Sequence, residues 1–180
     1  MKRPRGSCVL GFAPHSGWAA AVAIGGSPGK PLLLARERLE LADERMPGAK
    51  QPYHAIEALP LAEAGARLAA FRESAAALAA SGVRALVEIA RAGGIEPIAA
   101  GILDSAGRDP GALERVRASH ALIHTADGNH FREALAAACA ALRLPLARIR
   151  QRDLAAEAAR ALKRTPRELT AAVAALGRAA

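Results

Sequence analysis

Cys8-Val9-Leu10-Gly11-Phe12-Ala13-Pro14-His15-Ser16-Gly17-Trp18-Ala19-Ala20-Ala21-Val22-Ala23-Ile24 is the stretch on which the fold turns. Cys8 to Ala13 and Trp18 to Ile24 are both small, apolar and partly β-branched, and Pro14-His15-Ser16-Gly17 between them has the composition of a tight turn. Two strands joined by that turn follow. Gly25-Gly26-Ser27-Pro28-Gly29 is a second turn signal, and the alternation from Leu32 to Leu41, polar at one end, predicts a third strand. The opening third of the chain is therefore read as a three-strand meander. Asp43 to Pro52, with two prolines, a glycine and several charges, reads as a surface connection.

Beyond Pro60 the period changes. Leu61, Ala64, Leu68, Phe71, Ala75 and Leu78 recur at spacings of three and four, while Glu63, Arg67, Arg72 and Glu73 fall elsewhere, which predicts an amphipathic helix. Ser81-Gly82 is expected to end or bend it, with a helical pattern resuming from Val83 to Ala92 and stopping at Gly93-Gly94. Ile95 to Leu103 reads as a buried strand. Asp109-Pro110 is expected to open a helix through about Ile123, and Asp127 to cap another from Gly128 to Leu142. Leu146 to Arg150 is the fifth strand, and two short helices finish the chain, the last from the capping-box spacing Thr165-Pro166-Arg167-Glu168. This order predicts one α/β domain over residues 1–180, with a mixed five-stranded sheet, a three-strand meander followed by βαβ crossovers, and helices on both faces.

Composition bounds the function classes. The 180 residues are 52% hydrophobic, enough for one substantial core, and no apolar run reaches the roughly 18–20 residues of a membrane span. The basic N-terminus is followed by an apolar run cut by Pro14, His15, Ser16 and Gly17, unlike a signal peptide, so a cytoplasmic, non-membrane protein is expected. Cys8 and Cys139 have no metal-type spacing and imply no disulfide framework. A formal charge of +8 favours an acidic partner such as nucleic acid, although an Arg- and Ala-rich composition also follows from a GC-rich coding sequence. Aromatic content of 3% leaves little stacking surface for single strands. Self-association into a homo-oligomer is left open.

The element order resembles the ribonuclease H-like fold, and Gly11-Phe12-Ala13-Pro14-His15-Ser16-Gly17-Trp18 resembles the first-strand turn of the RuvC-type Holliday-junction resolvases, which carry a Gly-x-Asp-Pro-Gly-Ser type motif there. The resemblance implies that the first, fourth and fifth strands run parallel, bringing His15, Ser16, Asp104, Ser105, Arg152 and Asp153 to one edge. It also implies that Ala13 stands where the family has its first metal-binding aspartate, and a methyl group cannot ligate Mg²⁺. Asp104 follows the fourth strand, where the family is acidic, and could hold one Mg²⁺ or Mn²⁺ ion. Of the family's late carboxylates the chain offers Glu168 alone, and an absent C-terminal element is left open.

Other residues suggest chemistry of their own. His120, His124, Asp127 and His130 are the densest set of metal ligands, and two histidines at i and i+4 on a helix can chelate Zn²⁺. Their bland roles are a core His120 beside Leu113, Val116 and Ile123, a helix-capping Asp127 and an exposed His130. His15-Ser16 suggests an activated hydroxyl but suits a turn better. Gly25 to Lys30 is not a phosphate loop, because Pro31 and a strand follow where a helix is required. Tyr53-His54-x-x-Glu57 is a polar, aromatic cluster before Pro60. Arg148, Arg150 and Arg152 alternate and would align three guanidinium groups for phosphate, or form the solvated face of an edge strand. The leading expectation is a degenerate, non-catalytic domain that binds nucleic acid through those arginines. A metal-dependent phosphodiester hydrolase built on Asp104, Asp153 and His15, and a protein-interaction module, are the alternatives.

Overall fold

The computed structural model describes residues 6–104 and 110–178. Strands β1 (Gly6–His15), β2 (Trp18–Ser27) and β3 (Lys30–Glu40) form the expected meander, each antiparallel to the next. Gly17, at φ 84°, supplies the left-handed residue that the β1–β2 turn needs. Strands β4 (Ile95–Asp104) and β5 (Leu146–Arg150) add in parallel on the far side of β1, giving the order β3-β2-β1-β4-β5.

Alternation decides the two faces. Cys8, Leu10 and Phe12 of β1, Ala19, Ala21 and Ala23 of β2, and Ala100 and Ile102 of β4 are buried on one face. Against it lie α2 (Leu61–Ala92), which supplies Leu68, Phe71, Val83 and Leu86, and α4 (His120–Ala141), which supplies Ile123, Phe131 and Leu135. The short helices α1 (Pro52–Ala55) and α3 (Leu113–Arg117) flank α4. The second face carries Val9, Gly11 and Ala13 on β1, with Ala20 and Val22 on β2. Helices α5 (Leu154–Leu162) and α6 (Pro166–Arg178) approach it through Leu154 and through the β3 edge. No described residue of α5 is buried, so this second layer is thin.

Three expectations about the helices are corrected. Ser81-Gly82 neither ends nor bends α2, which runs unbroken for 32 residues. The missing side chain serves packing instead, since a Cβ at Gly82 would stand 3.2 Å from Leu39 of β3. The helix expected from Asp109 to Ile123 is divided: Gly111 takes φ 85°, α3 is a single turn, and Ser119 is extended at φ −144°. Asp109 itself lies outside the described residues, as does Ser105. Asp127 is no cap, because α4 begins seven residues earlier at His120 and passes straight through Gly128. Arg132 occupies the space over that glycine, donates to the Gly128 carbonyl, and also reaches Leu103 O at 3.1 Å, tying α4 to the end of β4. No helix among the described residues is long and apolar enough to cross a membrane.

Candidate functional site

The end of the helical layer next to α1 gathers four of the polar residues singled out in the sequence. His120, His124 and Asp127 stand at i, i+4 and i+7 of α4 and so share one face. His120 Nε2 and His124 Nε2 are 3.0 Å apart. His54, brought in by α1, places its ring centroid 5.3 Å from that of His120 and 4.6 Å from that of His124. The donor nitrogens of all three rings lie within 4.8 Å of one another. Asp127 stands behind His54, with Oδ2 2.5 Å from Nδ1, while its Oδ1 accepts the Tyr53 backbone N–H at 2.7 Å.

The element that carries His54 is held from three sides. Besides Asp127, Arg72 donates to Tyr53 Oη at 2.8 Å, and Arg117 of α3 donates to the Glu57 carbonyl at 2.9 Å and to the Leu59 carbonyl. The Tyr53-His54-x-x-Glu57 cluster is thus a braced turn whose imidazole meets the α4 histidines. His120, expected in the core, is exposed, because the helix begins at this residue and turns the 120/124 side outward. His130, expected to be exposed in a first turn, is buried mid-helix at 8% exposure, edge-on to Tyr53 and Phe131. Its Nε2 has no hydrogen-bond partner among the described residues, and burial together with the Arg72 cation pushes its pKa down to about 4. His130 therefore sits in the fold as a neutral ring.

Asp104, at the end of β4, lines a cleft of about 730 Å³ with Tyr53, Arg72, His130, Glu133 and Arg148. Its carboxylate has Arg132 Nε at 3.6 Å and Arg148 Nη1 at 3.8 Å. Phe12 pairs with Ile102 on the helical face, so Ala13 and Leu103 both project to the opposite face, away from this cleft. There Ala13 opens into a recess of about 310 Å³ shared with Val22, Leu103, Ile149 and Leu154, with no charged or polar side chain around it among the described residues. Ala13 and Asp104 consequently serve different faces of the sheet.

The arginine stripe is largely neutralised. Arg148 forms a two-point pair with Glu133 at 2.9 and 3.0 Å, and those hydrogen bonds hold its pKa above the usual guanidinium value. Arg150 Nε lies 2.6 Å from Asp153, and Arg152 Nε 3.5 Å from the same carboxylate. Arg152 lies past the end of β5, in the turn before α5, so three aligned guanidinium groups on one strand are not formed. Asp153 is engaged by both neighbours at the start of α5. His15 stacks on Trp18 with centroids 4.2 Å apart, and Arg38 covers the same indole at 3.9 Å, which makes His15-Ser16 part of a packed hairpin. Cys139 is buried with its thiol pKa pushed up to about 11, and Cys8 is buried also.

A three-strand antiparallel meander, with two parallel strands added beside β1 through helical crossovers, is the topology that the element order implied. It is the mixed five-stranded α/β sheet that the sequence predicts. No family model and no curated protein matches the sequence. Among solved structures the chain is similar to Thermus thermophilus RuvC in complex with Holliday junction substrate, at 13% identity and a TM-score of 0.44, covering 83% of this chain and 69% of that one. It is also similar to a second Thermus thermophilus RuvC structure, at 14% identity and a TM-score of 0.40, covering 79% of this chain and 63% of the other.

Proposed function

We propose that this ribonuclease H-like domain binds nucleic acid without cutting it. The apolar recess at Ala13 carries the second half of that reading. Two-metal phosphodiester chemistry needs carboxylates grouped tightly enough to hold two cations about 3.5–4 Å apart. The described residues do not fit such a pair: Ala13 faces Leu103 and Ile149, and Asp104 lies on the other side of the sheet between two guanidinium groups.

A cationic groove supports the binding half. Between β3 and α6 runs a groove of about 760 Å³ whose charged lining residues are Lys30, Arg36 and Arg164, with no acidic side chain among the described residues. Among the described residues no carboxylate lies within ion-pair distance of any of these three, in contrast to Arg148 and Arg150, although, behind the Thr165 hydrogen bonds, Arg164 helps hold the Glu168 carboxyl pKa down from the next helix start. Arg36 reaches α6 beside Gly177, its Nη2 about 3.9 Å from where a Cβ would stand there, an ordinary contact distance. Unpaired cations along a groove attract a polyphosphate chain and release its condensed counterions.

The test is a salt-dependent titration with duplex DNA, duplex RNA and a four-way DNA junction, run beside a cleavage assay in Mg²⁺ and in Mn²⁺. Binding is expected to weaken steeply with salt, and Arg36→Ala with Arg164→Ala should lower the log–log salt slope by about one per cation removed. Arg148→Ala should change it little. Binding indifferent to salt and to the double substitution would overturn the binding reading, and metal-dependent cleavage lost in Asp104→Asn would overturn the non-cutting one.

A further inference from the structure

We infer that His54, His120 and His124 form a mononuclear Zn²⁺ site with an open fourth position. This site is separate from the groove and from the Asp104 cleft, and it does not depend on either. Tetrahedral Zn–N bonds of about 2.0–2.1 Å place their nitrogens roughly 3.4 Å apart. The His120–His124 separation of 3.0 Å already approaches that value, and the full spread of 4.8 Å is within reach of small rotations of the two exposed α4 imidazoles.

The third ligand is oriented before any ion arrives. Asp127, 8% exposed, engages His54 Nδ1, which leaves Nε2 as the ring's donor atom. A carboxylate behind a ligating histidine fixes the tautomer, aims the ring and raises its basicity. The other Asp127 oxygen is held by the Tyr53 N–H, and Arg117 and Arg72 secure the rest of that turn, so His54 has little freedom to lose on binding. An exposed histidine pair with no function needs neither the buried carboxylate nor the bracing.

The donor set also selects the ion. Three neutral imidazoles with no carboxylate ligand suit Zn²⁺ and disfavour Mg²⁺ and Ca²⁺, which take oxygen donors. Because His120 and His124 face solvent, the fourth position is accessible to water or to an anionic oxygen ligand. A water held there by Zn²⁺ would ionise near neutral pH.

The experiment uses the full chain stripped with chelator, dialysed against Zn²⁺ and assayed for bound metal by elemental analysis. Co²⁺ substitution provides the visible absorption of a four-coordinate site. One equivalent is expected, lost in His120→Ala and in His124→Ala, whose exposed side chains can be removed with circular dichroism verifying that the fold persists. Asp127→Asn should weaken affinity about 10–100-fold while leaving the stoichiometry intact. Asp104→Ala should have no effect. Failure to bind Zn²⁺, uptake that survives both histidine substitutions, or uptake abolished by Asp104→Ala would each overturn the assignment.

Discussion

The two faces of the sheet are built from the same strands and differ in almost everything else. The helical face pairs even-numbered β1 residues with α2 and α4 and buries Phe71, Phe131, Leu86 and Leu135. The opposite face alternates Gly11, Ala13, Ala20 and Val22 under two helices that leave Val9 45% exposed, with Val173 of α6 itself 67% exposed. Side chains set the contrast, since period-two alternation sends neighbouring residues to unlike environments. One face bears the stability of the fold. The other is only thinly covered.

Substitutions on the two faces should break this contrast if it is wrong. Phe71→Ala or Phe131→Ala should cost about 3–5 kcal/mol in urea unfolding, whereas Val22→Ala on the open face should cost under about 1 kcal/mol. Equal losses would show that α5 and α6 close the second face as tightly as α2 and α4 close the first. Next in size is the neutral His130 of the helical layer. Its folded pKa of about 4 lies below the ordinary value of 6.5, so the unfolded chain binds the extra proton first. Stability is therefore fully present above about pH 6.5 and declines as pH falls towards 4, by about 3 kcal/mol over the window. His130→Phe should flatten that part of the pH–stability curve.

Smaller effects sharpen the boundary between the faces. Asp127→Ala removes the acceptor for the Tyr53 N–H and the partner of His54, at a cost of about 1–3 kcal/mol by thermal or urea unfolding. Arg38→Ala on the open face removes one side of the Trp18 stack and should cost only about 0.5–1 kcal/mol. If Arg38→Ala proved the more damaging of the two, the open face would be the structural one.

The strands and α2 were legible because their periods are local: Cys8 to Ile24 carries alternation and turn residues within 17 positions. The start of α4 was not, because Asp109-Pro110 looks like a helix opening while the actual break lies at Ser119. That displacement moved Asp127 from mid-helix to a cap and exchanged the burial of His120 and His130. With the helix begun at His120, the i, i+4, i+7 spacing would have put His120, His124 and Asp127 on one face. The His120–His124 pairing was readable, but its third member, His54, lies 66 residues upstream and meets them only through tertiary packing. Likewise, the alternation of Arg148 and Arg150 was visible but not their neutralisation by Glu133 and Asp153, because carboxylate partners from another helix or turn leave no mark on strand periodicity.

The stack of His15, Trp18 and Arg38 gives the molecule an internal optical probe. Trp18 is the only tryptophan, so fluorescence excited selectively at tryptophan, beyond the absorption of Tyr53, reports the β1–β2 hairpin and its β3 neighbour, while far-ultraviolet dichroism is dominated by α2 and α4. Melting curves followed by the two signals sample opposite sides of the sheet. Coincident midpoints would identify one cooperative unit, and an earlier fluorescence transition would reveal the meander loosening while the helices still hold.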